Sequence, residues 1–375
     1  MEILKAVILL GGIPYLRPTS VFIEKNILFQ GRFIAAGSGI RGQRRLAMKT
    51  LFQFAPAAAV QRLGAAILFS AALAASVAGA HAEPLVTAEW LNAHRADPNL
   101  VVLDVRSAID GGGAQAYASA HIPGSVHSDY DKAGWRVTRN NVPFMVPTKA
   151  ELEKLIGDIG VDEDSHVIVV PAGVNVLDFG SAARTYWTLK YAGVKDVSIL
   201  DGGVAAWRQA GFPLESGATT PSPKIFTATI DQSILAEAGD VEAIEGKGGA
   251  TLVDARPASF FFGKEKAPAS QAYGHIPGAV NVDSAGFYDP KTNRLKPKAE
   301  LAGIAGAVPT GPAVSYCNTG HWAATDWFVL HELLGRKETR LYAGSMVDWT
   351  SNASRPIESS RTKWDDLKKA LGLGS

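Results

Sequence analysis

The chain contains a single cysteine, Cys317, and its neighbours give it chemistry. The run reads Ala313-Val314-Ser315-Tyr316-Cys317-Asn318-Thr319-Gly320-His321-Trp322-Ala323-Ala324, and an amphipathic stretch then continues to Gly335. A short apolar segment ends at the thiol, a small polar turn follows, and helical spacing begins just beyond it. A thiol between a strand end and a helix start faces unpaired backbone N–H groups and the positive end of a helix dipole. Both favour the thiolate, which is the nucleophilic form. An arbitrary lone cysteine reads as a small buried hydrophobe, but this strand–turn–helix setting reads as a nucleophile. Phosphatase or arsenate reductase chemistry would need an oxyanion-clamping arginine six positions after the cysteine. That position is Ala323.

The chain also carries an address. Met48-Lys49 opens a segment with Arg62, then the apolar stretch Leu63 to Ala75, and Ala80-His81-Ala82 closes it before Glu83. A charged start, an apolar core and an A-x-A site form a cleavable secretory signal over 48–82, cut after Ala82. The apolar core is short and rich in small residues, which predicts export to the periplasm without a stable membrane anchor. Residues 1–47 fall outside this scheme and read as a non-native upstream extension. The doublet Arg44-Arg45 leaves a twin-arginine route open. An exported chain with one cysteine has no internal disulfide, so the thiol is either reactive or pairs with another molecule.

Composition sets limits. Lys+Arg 37 against Asp+Glu 36 leaves a net charge of +1, so no bulk field recruits nucleic acid. Eight histidines and one cysteine form no ligand-type cluster, and no metal or cofactor is expected. Gly111-Gly112-Gly113 lacks the flanking pattern of a phosphate loop.

The chain is internally duplicated. Leu100 to Arg106 is answered by Ala250 to Arg256, and Ala116 to Val126 by Gln271 to Val280. Thr148 to Leu152 is answered by Pro297 to Leu301, and Leu200 to Trp207 by Tyr342 to Trp349. Four blocks in one order indicate two homologous domains, since solenoid units are much shorter. Within each repeat, apolar runs such as Val167–Val170 and Val197–Leu200 alternate with helical stretches from Lys149 to Gly160 and from Ser181 to Ala192. That alternation predicts an α/β fold, each domain a parallel sheet with helices on both faces. Ligands of such sheets bind beyond the carboxyl ends of the strands.

These blocks resemble the tandem-domain rhodanese family, the thiosulfate and 3-mercaptopyruvate sulfurtransferases of exported bacterial type. The likeness rests on Asp-x-Arg after the first strand, His-Ile-Pro-Gly in both halves, the late Asp-Gly-Gly…Trp turn, and the Cys317 loop. It implies a cysteine-less, inactive rhodanese-like domain over 84–214, a linker over 215–224 and a catalytic domain over 225–372. It further implies that Cys317 takes sulfane sulfur from a small donor, thiosulfate or 3-mercaptopyruvate, as a persulfide. The acceptor would be thiophilic: cyanide, a thiol or a protein. Asn318, Thr319, Gly320, His321 and Trp322 would form the active-site loop, with the N–H groups from Asn318 to Ala323 stabilising the persulfide anion.

Donor choice is less legible. Relatives acting on thiosulfate tend to carry basic residues after the cysteine, and those acting on mercaptopyruvate a small or hydroxyl residue followed by Gly. Here Thr319 takes the hydroxyl place, His321 is expected to add positive charge at low pH, and bulky Trp322 to narrow the mouth or stack on an acceptor. The anion-binding arginine that relatives place after Asp-x-Arg is replaced by Phe260, leaving Lys264 or Lys266 as a substitute or as plain surface. Asp254 and Arg256 are expected to brace the loop, His121 to brace its own loop or reach the cleft, and Arg184 to serve packing at the domain contact. Two other readings of the same fold are a sulfur carrier that does not turn over and a redox-sensing thiol protein.

Overall fold

A computed structural model describes residues 82–362 together with Trp364, Asp365 and Leu371. Residues 1–47, and the signal-like segment 48–82 apart from Ala82, lie outside the described residues.

The first half runs β1 (Leu85–Val86), α1 (Ala88–His94), β2 (Leu100–Asp104), α2 (Gly113–Ser119), β3 (Val126–His127), β4 (Val137–Arg139), β5 (Val142–Met145), α3 (Lys149–Asp158), β6 (His166–Val170), α4 (Val176–Ala192), β7 (Asp196–Leu200) and α5 (Gly203–Gln209). The second half repeats the scheme: β8 (Leu235–Ala236), α6 (Ala238–Lys247), β9 (Thr251–Asp254), α7 (Ala258–Phe261), β10 (Val280–Asn281), β11 (Tyr288–Asp289), β12 (Arg294–Leu295), α8 (Lys298–Ala305), β13 (Ala313–Tyr316), α9 (Trp322–Trp327), β14 (Thr339–Tyr342) and α10 (Ser345–Trp349). A π-helical turn, Phe328–Leu333, continues α9. Each half builds a five-stranded sheet, in the orders β1-β7-β6-β2-β3 and β8-β14-β13-β9-β10. The two orders are the same order, and every pairing within these sheets is parallel.

Local chemistry sets the helix limits. Thr148 and Glu151 form a reciprocal capping box at the start of α3. The α4 helix begins five residues before the Ser181 start that its apolar spacing predicts, because the Asn175 side chain accepts the N–H groups of Leu177 and Asp178. It ends at Gly193, whose φ of 98° suits a left-handed stop.

Strand alternation distributes the core. Val167 and Val169 of β6 face one side, and Ile168 and Val170 face the other. The first pair joins a single apolar core that also holds Val253, Ala313, Trp327 and Leu341 of the second half. The second pair belongs to an outer core of the first half around Trp207. Trp349 anchors the matching outer core of the second half. The inner faces of both sheets therefore share one core, and α4 packs against α9 within it. That contact brings first-half side chains to the helix that follows Cys317. No helix among the described residues is long and apolar enough to cross a membrane.

Candidate active site

Strand β13 pairs with β9 so that Tyr316 lies opposite Asp254. The residue after Tyr316 is thus delivered to the carboxyl edge of the sheet, beside the Asp254-Ala255-Arg256 turn. Cys317 is that residue, and it is fully buried.

Its backbone is fixed from three sides. The Cys317 N–H donates to Ser345 Oγ at 3.0 Å, and Ser345 Oγ–H donates to the Tyr342 carbonyl at 2.8 Å. The Cys317 and Asn318 carbonyls accept the N–H groups of Met346 and Val347, both at 3.0 Å. Ser345 holds φ at 52°, a left-handed conformation that costs a non-glycine residue about 1–2 kcal/mol. The repeat explains why the strain is kept. The matching pair in the first half is Pro171 and Gly203, and Gly203 has φ 55°. Proline has no N–H to satisfy, and a Cβ at Gly203 would strike the Pro171 carbonyl and the Gly173 nitrogen, so glycine is kept there, whereas Cys317 needs an acceptor that only a side chain can supply.

The loop carbonyls are held from beneath. Arg256 forks onto Asp254 with Nε and Nη2, donates to the Gly274 carbonyl at 2.8 Å, and reaches Asn318 Oδ1 with Nη1 at 3.4 Å. Burial pulls against the Arg256 charge, but Asp254 outweighs it and holds the guanidinium above its ordinary pKa. Arg184 of α4 donates Nη1 to the carbonyls of Gly320 (3.2 Å), Thr319 (3.4 Å) and Ala343 (3.5 Å). Gly320 has φ 71°, and a Cβ there would strike both Arg184 and the Ala343 carbonyl. Arg184 therefore clamps the Cys317 loop, a larger role than packing alone. The sequence hides this because the contact spans 136 residues.

Arg184 is fully buried and forms no ion pair among the described residues; its Nε and Nη2 meet no acceptor. Burial lowers its pKa to about 10, so it remains charged near neutrality. An uncompensated buried cation is costly unless an anion joins it, and Cys317 is among the groups that favour its charge. Among the described residues, no acceptor meets the backbone N–H groups of Asn318 to Ala323. The loop thus presents donors and a buried cation at the thiol and no compensating anion, an arrangement suited to a thiolate or persulfide.

His321 corrects an expectation. Its ring is buried, Nδ1 and Tyr130 Oη share a hydrogen bond of 2.9 Å, and Nε2 faces the α4 backbone near Leu177 and Gly180 without a well-formed hydrogen bond. Burial, then Arg136 and Arg184, push its pKa down to about 3. His321 therefore stays neutral and adds no positive charge in mildly acidic solution. Tyr130 comes from the first half and is itself covered by Arg136, whose guanidinium lies 4.2 Å from the ring centroid. Nothing in the sequence singles out Tyr130, Arg136 or Ser345, although aligning the two repeats exposes the Gly203–Ser345 exchange.

The remaining candidates divide. Trp322 is half-buried and packs edge-on against Phe260, their ring centroids 5.9 Å apart. With Thr319, also half-buried, it borders the loop on the solvent side. His121 is buried against Tyr117, with Nδ1 at the Tyr117 carbonyl and Nε2 at Glu215 Oε1, and so braces its own loop. His275 does the same at the Phe261 carbonyl. Lys264 is exposed, and Lys266 is tied to the Ser270 carbonyl, so the structure places neither ammonium in a contact with the Cys317 loop. No group of metal-binding side chains occurs among the described residues.

Comparison with known proteins gives this geometry its context. The rhodanese-like domain model matches residues 87–210 and 237–352. The chain belongs to the rhodanese family. It is a sulfurtransferase, as its relatives are named. A probable 3-mercaptopyruvate sulfurtransferase of Pseudomonas aeruginosa is 35% identical over 285 residues, covering 73% of this chain and 97% of that protein. The 3-mercaptopyruvate sulfurtransferase of Escherichia coli K12 is 32% identical over 281 residues, with the same coverage, 73% and 97%. A putative thiosulfate sulfurtransferase of Mycolicibacterium smegmatis is 31% identical over 288 residues, covering 74% and 99%. Among solved structures, SseA of Escherichia coli, described as a 3-mercaptopyruvate sulfotransferase with the rhodanese fold, aligns at TM-score 0.61 and 30% identity. That alignment covers 70% of this chain and 98% of SseA.

Proposed function

We propose that this sulfurtransferase carries sulfane sulfur on Cys317 as a persulfide, with 3-mercaptopyruvate as the favoured donor, and that it acts after export to the periplasm. The observation that carries the reading is the unpaired donor set around a buried thiol: free loop N–H groups and Arg184 without an ion-pair partner. Export rests on the signal-like segment 48–82 alone.

The chemistry has two displacements. The Cys317 thiolate attacks the donor sulfur; the new S–S bond forms as the C–S bond of mercaptopyruvate breaks. The leaving enolate takes up a proton and departs as pyruvate. With thiosulfate the S–S bond breaks instead and sulfite leaves. The acceptor then attacks the outer persulfide sulfur, and the Cys317 thiolate leaves, so that cyanide becomes thiocyanate. A single cysteine suits this cycle, since no neighbouring thiol discharges the persulfide as an internal disulfide.

Mercaptopyruvate is favoured because the loop carries no fixed cation after the cysteine: Asn318, Thr319 and Gly320 are neutral, and His321 is buried and uncharged. A dianionic donor has the larger desolvation cost and needs such cations to offset it, whereas a monoanion needs them less. The test is intact mass after incubation with each donor. A gain of about one sulfur atom (~32 Da), removed by cyanide, is expected with mercaptopyruvate first and to be absent in Cys317→Ser. No adduct with either donor sinks the reading.

A further inference from the structure

The two halves hold the same loop in two states. In the first half, Val204 and Ala205 donate to the carbonyls of Pro171 (2.9 Å) and Ala172 (3.0 Å). In the second, Met346 and Val347 donate to those of Cys317 and Asn318, both at 3.0 Å. These bonds place Pro171 on Cys317 and Ala172 on Asn318. They likewise place the cap Asn175 on His321, and Asp178 of α4 on Ala324 of α9. The first-half loop is not empty. The buried Asp178 carboxylate accepts the N–H groups of Ala172 (2.7 Å), Gly173 (2.5 Å) and Val174 (2.9 Å). The matching N–H groups of Asn318, Thr319 and Gly320 meet no acceptor among the described residues, and Ala324 offers only a methyl group.

Resting on the sulfur-transfer reading, we propose that this helix position decides whether a rhodanese loop of this chain is open to a sulfur-bearing anion. Ala324 leaves the second cradle open. Asp178 fills the first with a carboxylate, which silences it independently of the missing cysteine. An anionic donor in the first cradle would meet a like charge and already occupied donors. Asp178 also marks, by where its oxygens sit, the place that a persulfide or donor anion takes in the second half. Loss of the thiol is then only one of several changes that closed the first site; Gly203 in place of a serine is another.

The test builds a nucleophile in the first half while the second is disabled by Cys317→Ser. Two chains are compared: Pro171→Cys, and Pro171→Cys with Asp178→Ala; Gly203 is kept in both, since a Cβ there would strike the Pro171 carbonyl and the Gly173 nitrogen. Each is treated with mercaptopyruvate and with thiosulfate and weighed, and its thiol is alkylated with iodoacetamide at pH 7. Solvent reaches this loop at Val174, which is 47% exposed. The expectation is no sulfur adduct while Asp178 remains, a cyanide-removable adduct once it is replaced, and alkylation faster by about tenfold or more, as expected for a thiolate-bearing cradle. An equal adduct and an equal alkylation rate with and without Asp178 overturn the proposal. The reciprocal Ala324→Asp, in an otherwise unaltered chain, is expected to abolish the Cys317 adduct. Alkylation separates the two claims: faster alkylation without Asp178, when Cys317 of the unaltered chain takes sulfur from neither donor, upholds the plug and sinks the sulfur-transfer reading.

Discussion

At the scale of single residues, the site is built from pairs that compensate one another. Ser345 accepts backbone strain because the Cys317 N–H has nowhere else to go. Ser345→Gly relieves that strain but leaves a buried N–H unpaired, worth about 1–3 kcal/mol. The two effects nearly cancel, so urea unfolding should shift little while kcat/KM for sulfur transfer falls at least several-fold; an unchanged rate would remove Ser345 from the positioning machinery. Tyr130→Phe has no such compensation. It strips the partner from buried His321 Nδ1 and should destabilise the protein by about 1–3 kcal/mol, read as a lower urea midpoint at unchanged m-value.

At the scale of elements, helix α9 carries a defect that its position makes measurable. Asp326 is fully buried, and neither of its carboxyl oxygens meets a partner among the described residues. Burial, reinforced by Asp283 and Asp254, holds its pKa well above the usual carboxylate range. The folded protein therefore keeps a proton there that the unfolded chain has released. Stability from that proton is present at low pH and is lost as pH rises above the ordinary carboxylate pKa. Asp326→Val should raise the unfolding free energy by about 1–3 kcal/mol, and the gain should be larger at pH 8 than at pH 5. A gain that shrinks with pH would show that the acid is solvated or paired. What is legible in the sequence follows the range of the interaction. The Cys317 loop, Asp254 and Arg256, and the capped helix α3 are set by neighbours a few residues apart, so local spacing reveals them. The early start of α4 depends on the single Asn175 cap within an otherwise unperiodic stretch. Tyr130 reaches His321 across 191 residues, and no local pattern encodes that.

At the scale of the whole molecule, the cysteine-less half is part of what holds the Cys317 loop. The inner core runs through both sheets, and Arg184 crosses from one half to clamp the loop of the other. Arg184→Gln removes the buried cation while keeping polar reach. It should slow iodoacetamide alkylation of Cys317 about tenfold at pH 7 and leave the limiting rate at high pH unchanged; a uniform slowing at all pH values would mean that the loop has simply moved. The shared core also predicts that urea unfolds residues of both halves in one transition, with tryptophan fluorescence and far-UV circular dichroism coincident.

The paired loops have a consequence for descent. To regain a working thiol, the first half needs a cysteine at Pro171, an acceptor at Gly203 and the loss of Asp178. A cysteine alone would bring an N–H with no acceptor and a thiol beside a carboxylate. A glycine-to-serine change alone would impose left-handed strain with nothing to hold. Both of these single steps cost stability before either supplies a usable thiol. On the reading proposed above, opening the first half would take coordinated changes, and that half serves through the surfaces it lends to the Cys317 loop.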